Sequence, residues 1–215
     1  MNRVYERRWL RFAKGDKMRY IGHLDLQMVF QSAIRRAKLP IAYSMGFNPH
    51  QRMSFALPLP VGMDSICEYM EILLNEDANI MELDKHLPDG LRILEVYNIP
   101  EKTIKPAAAV CAADYRLTGI SENEANSAFN QIIKGDQIVV LKKTKSGEKH
   151  VDIKPDILNF AYDPVGAVTM RLSAGSAKNL SPQVIVNEFF SKENVGIVRT
   201  ELYASNNRPL HEIAL

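Results

Sequence analysis

The sequence predicts an α+β protein built twice over from one layout. Two observations carry this. Segments with strand-type alternation and segments with helix-type spacing follow each other in the order β-α-β-β-α-β, and that order occurs twice. Between the two runs lies PEKTIKPAAAV, residues 100–110, with the composition of a linker. The order is that of the ferredoxin-like unit, an antiparallel sheet with its helices on one face. The expected division is therefore one unit over 1–100, a linker over 101–110 and a second unit over 111–215.

Each element has its own signal. The segment WLRFAK forms a strand that ends at Gly15. In HLDLQMVFQSAIRRAKLP the apolar positions Leu26, Val29, Phe30, Ala33, Ile34 and Ala37 share one helix face, and Pro40 ends the pattern. The Gly- and Pro-rich stretch 43–62 is partly strand. ICEYMEILL (66–74) is a strand, NIMELDKHLP a short helix and LRILEVYNI the closing strand. In the second run ADYRLTGI is a strand. SENEANSAFNQIIKG opens on a capping box, Ser121 with Glu124, and ends at Gly135. QIVVLKKT and AVTMRLSA are strands, SPQVIVNEFFS is a helix with Ser181 and Pro182 at its start, and GIVRTELYA is the last strand.

Composition narrows the function classes. Hydrophobic residues are 46% and charged residues 24%, as in ordinary globular domains. No apolar run suits a membrane span or a signal peptide. Cys67 and Cys111 have no partner spacing, which fits a reducing, cytoplasmic setting and excludes a thiolate-held cluster. There is no phosphate-loop or dinucleotide fingerprint, and no metal-ligand spacing, so neither a cofactor nor a metal is expected. The net charge of +2 hides a division. Residues 1–55 carry eleven Lys/Arg against three Asp/Glu, while 56–101 carry two against ten. The basic opening either attracts phosphate or is neutralised by the acidic segment folding beside it.

Candidate site residues concentrate in the first run. Arg19, Tyr20, His23 and Asp25 fall at the junction entering the first helix, where free N–H groups and the helix dipole favour anions. Arg35 and Arg36 sit at its end, either complementing the dipole or contacting phosphate. In YSMGFNPHQR, Gly46, Asn48 and Pro49 shape a turn that presents Phe47, His50 and Arg52. Phe47 either fills the core or stacks on a base. His23 and His50 are candidates for acid–base catalysis, against plain structural roles. A carboxylate also falls on an apolar strand face: Glu68, with His23 or Arg19 as partner, or Glu71 if the other face is buried. KKTKSGEKHVDIK reads as an exposed basic hairpin with its tip at Ser146-Gly147.

The block 19–72 resembles an uncharacterised bacterial domain family associated with radical-SAM proteins. The resemblance rests on Arg19-Tyr20, His23-Leu24-Asp25-Leu26, Arg35-Arg36-Ala37, Leu39-Pro40, Ser44, Gly46-Phe47-Asn48-Pro49-His50, Pro58-Leu59-Pro60, Gly62 and Glu68-Tyr69. Gly22 and Gln51 depart from the pattern, which has Ser and Pro there. The resemblance implies a stand-alone partner of a radical-SAM protein, with no established activity. A looser, fold-level likeness is to the repeat-associated CRISPR RNA endonucleases. The function expected is a non-catalytic accessory module that binds RNA through Arg19, Arg35, Arg36, Phe47, His50 and Arg52. The alternatives are a metal-independent endoribonuclease using His23 or His50, and a module that docks a radical-SAM enzyme.

Overall fold

A computed structural model describes residues 5–144, 147–163, 167–190 and 195–214. The chain divides into two compact units, one of residues 1–110 with 201–215 and one of residues 111–200. Among the described residues no helix is long and apolar enough to cross a membrane.

The first unit contains β1 (Glu6–Lys14), α1 (His23–Arg36), β2 (Met53–Phe55), β3 (Asp64–Leu74), β4 (Leu91–Ile99) and the short α2 (Pro106–Ala109). A 3-10 helix, Ile80–His86, stands where the second helix is expected. Asn79 caps it, its side chain accepting from the Met81 N–H at 3.2 Å. The strands are antiparallel and lie in the order β4-β1-β3, with β2 on the outer side of β3.

Strand β3 alternates less than the sequence suggests because both of its faces are covered. From Cys67 to Ile72 every residue is buried. One face packs on α1. There Leu10, Phe12, Met70, Ile72 and Leu74 meet Leu26, Phe30, Ala33 and Ile34 of the helix. Phe12, Phe30 and Phe55 meet edge to face, with centroids 4.9–6.0 Å apart. Val29 and Ala37, on the predicted helix face, are partly buried against this core.

The helix stops at Arg36, ahead of Pro40. Lys38 takes a left-handed conformation (φ 53), and the Leu39 N–H returns to the Ile34 carbonyl at 3.2 Å. Gly90 is the second constrained backbone position. Its φ is +93, and its carbonyl accepts from the Gly15 N–H at 2.7 Å. A Cβ there would lie 2.9 Å from Met18 Cγ and 3.2 Å from Met18 N. Gly90→Ala is expected to lower stability by at least about 1–2 kcal/mol, the cost of the left-handed backbone alone. Urea melts of the two proteins check this, and equal midpoints would refute it.

The second unit contains β5 (Ala112–Thr118), α3 (Glu122–Lys134), β6 (Val139–Thr144), β7 (Gly147–Asp152), β8 (Ile157–Asp163), β9 (Ala167–Ser173) and α4 (Pro182–Phe189). The last strand, β10 (Gly196–Tyr203), begins in this unit and ends in the first. The capping box at Ser121 and Glu124 forms as expected. One strand differs. QIVVLKKT does not join β9; it pairs with β7 in a separate two-stranded hairpin. Strand β8, a stretch to which the sequence reading assigns no element, takes the place beside β9, with β5 on the other side. Phe160 is its one buried residue. A single inward side chain gives too little alternation to mark a strand. The Ser146 half of the expected hairpin tip lies outside the described residues.

Candidate functional site

The stretch 43–52 is a loop closed at its neck. The Ser44 N–H donates to the His50 carbonyl at 2.8 Å, and the His50 N–H donates to Ser44 Oγ at 3.0 Å. Below the neck the chain is bound to β3. The Ala42 N–H donates to the Leu73 carbonyl (2.7 Å) and the Leu73 N–H to the Arg52 carbonyl (3.0 Å). Gln51 is buried, and its Nε2 donates to the Gln31 carbonyl of α1 at 3.3 Å. The neck is thus fixed to strand and helix, while the tip carries Met45, Gly46 (φ 122), Phe47, Asn48 and Pro49 into solvent. Phe47 is fully exposed, at 106% of its reference area, and Met45 is 90% exposed. The core-filling alternative for Phe47 therefore fails.

The predicted cations are not equivalent. Arg19 forms a two-pronged ion pair with Asp64, its Nε 3.0 Å from Oδ1 and its Nη2 on Oδ2. Its carbonyl accepts from the Gly62 N–H and from Lys14 Nζ. Arg19 is a clamp on the end of the 43–62 stretch, with its guanidinium already committed, and its carboxylate is Asp64 rather than Glu68. Arg35 is exposed and donates to Ser32 Oγ at 3.1 Å. Arg36 donates to the His86 carbonyl at 2.6 Å while remaining exposed. The Arg52 guanidinium lies 4.7 Å above the Tyr5 ring.

Arg35 and His50 share a small cleft of about 140 Å³ between α1 and the loop, together with Tyr43 and Pro49. His23 is elsewhere. Its ring meets Phe55 edge-on at 5.2 Å, at the rim of the aromatic cluster. Tyr20 and Leu24 are exposed near the start of α1, at 75% and 73%, and Asp25 is exposed in its first turn.

Glu68 and Glu71 of β3 are both buried. Glu68 lies 3% exposed on the face toward α1, and Glu71 2% exposed on the opposite face. Three donors converge on Glu71 Oε2: Arg7 Nε at 3.2 Å, Arg7 Nη2, and Trp9 Nε1 at 3.0 Å. Arg7 Nη1 in turn donates to the carbonyls of Pro100, Glu101 and Thr103 at 2.7–2.9 Å, holding the expected linker against the sheet. Sequence reasoning missed Arg7. Its signal was weak: β1 reads ERRWLRFAK, charged at more than half of its positions, and only the covering of the sheet face obliges Arg7 to find a carboxylate.

Farther along this face Tyr69 is buried, and its hydroxyl has no hydrogen-bond partner among the described residues. Burial, and next the Glu201 charge, raise its ionisation far above the ordinary tyrosine range, against the opposing pull of Arg11. Tyr97 is raised in the same direction by burial and by its bond to Glu95. Such groups contribute stability below the unfolded value of about 10, and lose it as pH rises beyond that. Tyr69→Phe is expected to flatten that alkaline loss and to leave stability at neutral pH equal or higher, since an unsatisfied hydroxyl disappears. Urea melts at neutral pH and above pH 10 test this; a clear loss at neutral pH would show that the hydroxyl has a partner.

The pattern of an uncharacterised protein family conserved in bacteria, DUF2344, matches residues 7–182. The chain belongs to this family. The match to DUF2344 takes in the closed loop, α1, Arg7 and Glu71. No curated protein matches the chain.

Proposed function

We propose that this DUF2344 protein is a non-catalytic accessory module, working with a radical-SAM protein, that binds single-stranded RNA at loop 43–52 and the adjoining face of α1. The carrying observation is the complete exposure of Phe47 on a loop whose neck is fixed. An exposed ring at the tip of such a loop provides a stacking platform, and every base has a face to offer it. Arg35 and Arg36, exposed along α1, and Arg52 beside the loop neck provide the phosphate contacts. Arg19 drops out of the binding set, because Asp64 already neutralises it. The nuclease alternative that pairs His23 with His50 is less well supported, since among the described residues His23 packs on the Phe55 ring and lines neither of two cavities that His50 lines.

The test is binding of the purified chain to total cellular RNA at two salt concentrations, beside an Arg35→Ala/Arg36→Ala variant. Affinity that falls with salt, and less steeply in the variant, is the expected result. No binding, or binding indifferent to salt, would overturn the reading. A second reading is favoured by Leu24, Met28 and Met45, which are exposed and apolar. These suit a protein surface better than a phosphate backbone. In that case the same loop docks the radical-SAM enzyme, and deleting residues 45–49 abolishes co-purification.

A further inference from the structure

A cavity of about 420 Å³ opens behind the loop neck. It lies on the sheet face turned away from α1. Met53 and Phe55 of β2 pack into the core under the helix, so Arg52 and Ser54, which alternate with them, point to the other side. Ser54 and Glu71 are register partners there. The back wall is the buried Arg7–Glu71 pair, with the segment 100–105 held to it by the three carbonyl bonds of Arg7 Nη1, to Pro100, Glu101 and Thr103. The near wall is Ser44, His50 and Arg52.

The charge around this cavity is uneven. Arg7 and Glu71 cancel each other. Of the remaining lining groups, Arg52 and Lys105 are cationic and exposed, His50 is an exposed imidazole, and Glu101 is the one other carboxylate. Ser44 Oγ accepts from the His50 N–H, which leaves its hydroxyl hydrogen to donate. The volume is in the range of small-molecule sites and suits a mononucleotide. Two exposed cations, Lys105 and the Arg52 that rests on the Tyr5 ring, and a hydroxyl donor around a cavity of that size match a doubly charged, tetrahedral anion with several acceptor oxygens.

We propose that this cavity binds a phosphate monoester, presented either by the end of an RNA strand or by a free nucleotide. The proposal stands apart from stacking at Phe47, which lies on the solvent tip of the loop. Lys105 and Arg52 close on the phosphate from opposite walls, and the Arg7–Glu71 pair holds those walls in place.

Titration calorimetry with AMP and adenosine tests it. AMP is expected to bind at least tenfold tighter than adenosine, and Lys105→Ala and Arg52→Ala are each expected to weaken AMP about tenfold. Both side chains are exposed, so the variants keep the fold, which a melting curve verifies. A second arm compares one oligoribonucleotide carrying a 5′-phosphate, a 3′-phosphate or neither. Preference for a phosphorylated end that vanishes in Lys105→Ala supports the RNA-end source. AMP binding without such preference supports the free nucleotide. If AMP binds no better than adenosine and no phosphorylated end is preferred, the proposal is overturned, whether or not RNA binds elsewhere. Equal AMP affinity in both variants overturns it as well.

Discussion

Glu71→Ala is expected to destabilise the first unit by about 3–5 kcal/mol, the range for removing one partner of a buried ion pair. The size follows from what is left behind. Arg7 is 9% exposed and would lose the carboxylate that balances it. Trp9, fully buried, would lose the acceptor of its indole N–H. Both groups would stay buried in the sheet face without their shared acceptor, and only Arg7, which lines the cavity behind the loop neck, could turn toward solvent. The chain has a single tryptophan, so fluorescence in a urea titration follows Trp9 and hence this unit alone. The paired change Arg7→Met with Glu71→Leu removes both charges together. It is expected to recover only the part of the loss that comes from the unbalanced Arg7 charge, because the Trp9 N–H and the Pro100, Glu101 and Thr103 carbonyls still lose their partners. A cost below about 1 kcal/mol for Glu71→Ala would mean that the network is hydrated, and the account of the back wall would fail.

That network also marks where the sequence stopped being legible. The α+β class, the limits of α1 to within a few residues, the capping box and the helix face around Phe30 all follow from local rules that act within one turn or one strand. Strand β3 does not obey such a rule. With Met70 and Ile72 under α1 and Tyr69 and Glu71 on the other side, alternation no longer separates inside from outside. Both carboxylates therefore read as rivals for one anomalous position. Arg7 and Glu71 are 64 residues apart, and their meeting depends on the pairing of β1 with β3, which no local pattern encodes. Arg19 shows the same limit: its basic charge was plain, but Asp64 lies 45 residues away and cancels it. The loop was more legible because its shape is local. Gly46, Asn48 and Pro49 bend the chain, and Ser44 and His50 close it within seven positions.

Phe47→Ala should leave stability unchanged, within about 0.5 kcal/mol, because the ring contributes no buried area to the core. RNA affinity should nevertheless fall by about 1–3 kcal/mol, the usual contribution of one stacked base, or roughly 5- to 150-fold. Phe47→Trp should preserve affinity, since a larger ring stacks as well. Gly46→Ala separates the ring from its placement. Nothing lies within 4 Å of the added methyl, so no clash arises, yet φ of +122 is a conformation that alanine avoids. The loop would then rest in another shape with its phenylalanine intact, and affinity should drop while the melting curve stays close to the parent. If Gly46→Ala matches the parent and Phe47→Ala does not, stacking needs no fixed geometry, and the closed neck serves some other end. Unchanged affinity in Phe47→Ala would remove the observation on which the RNA reading rests and turn attention to Met45, Leu24 and Met28 as a protein surface.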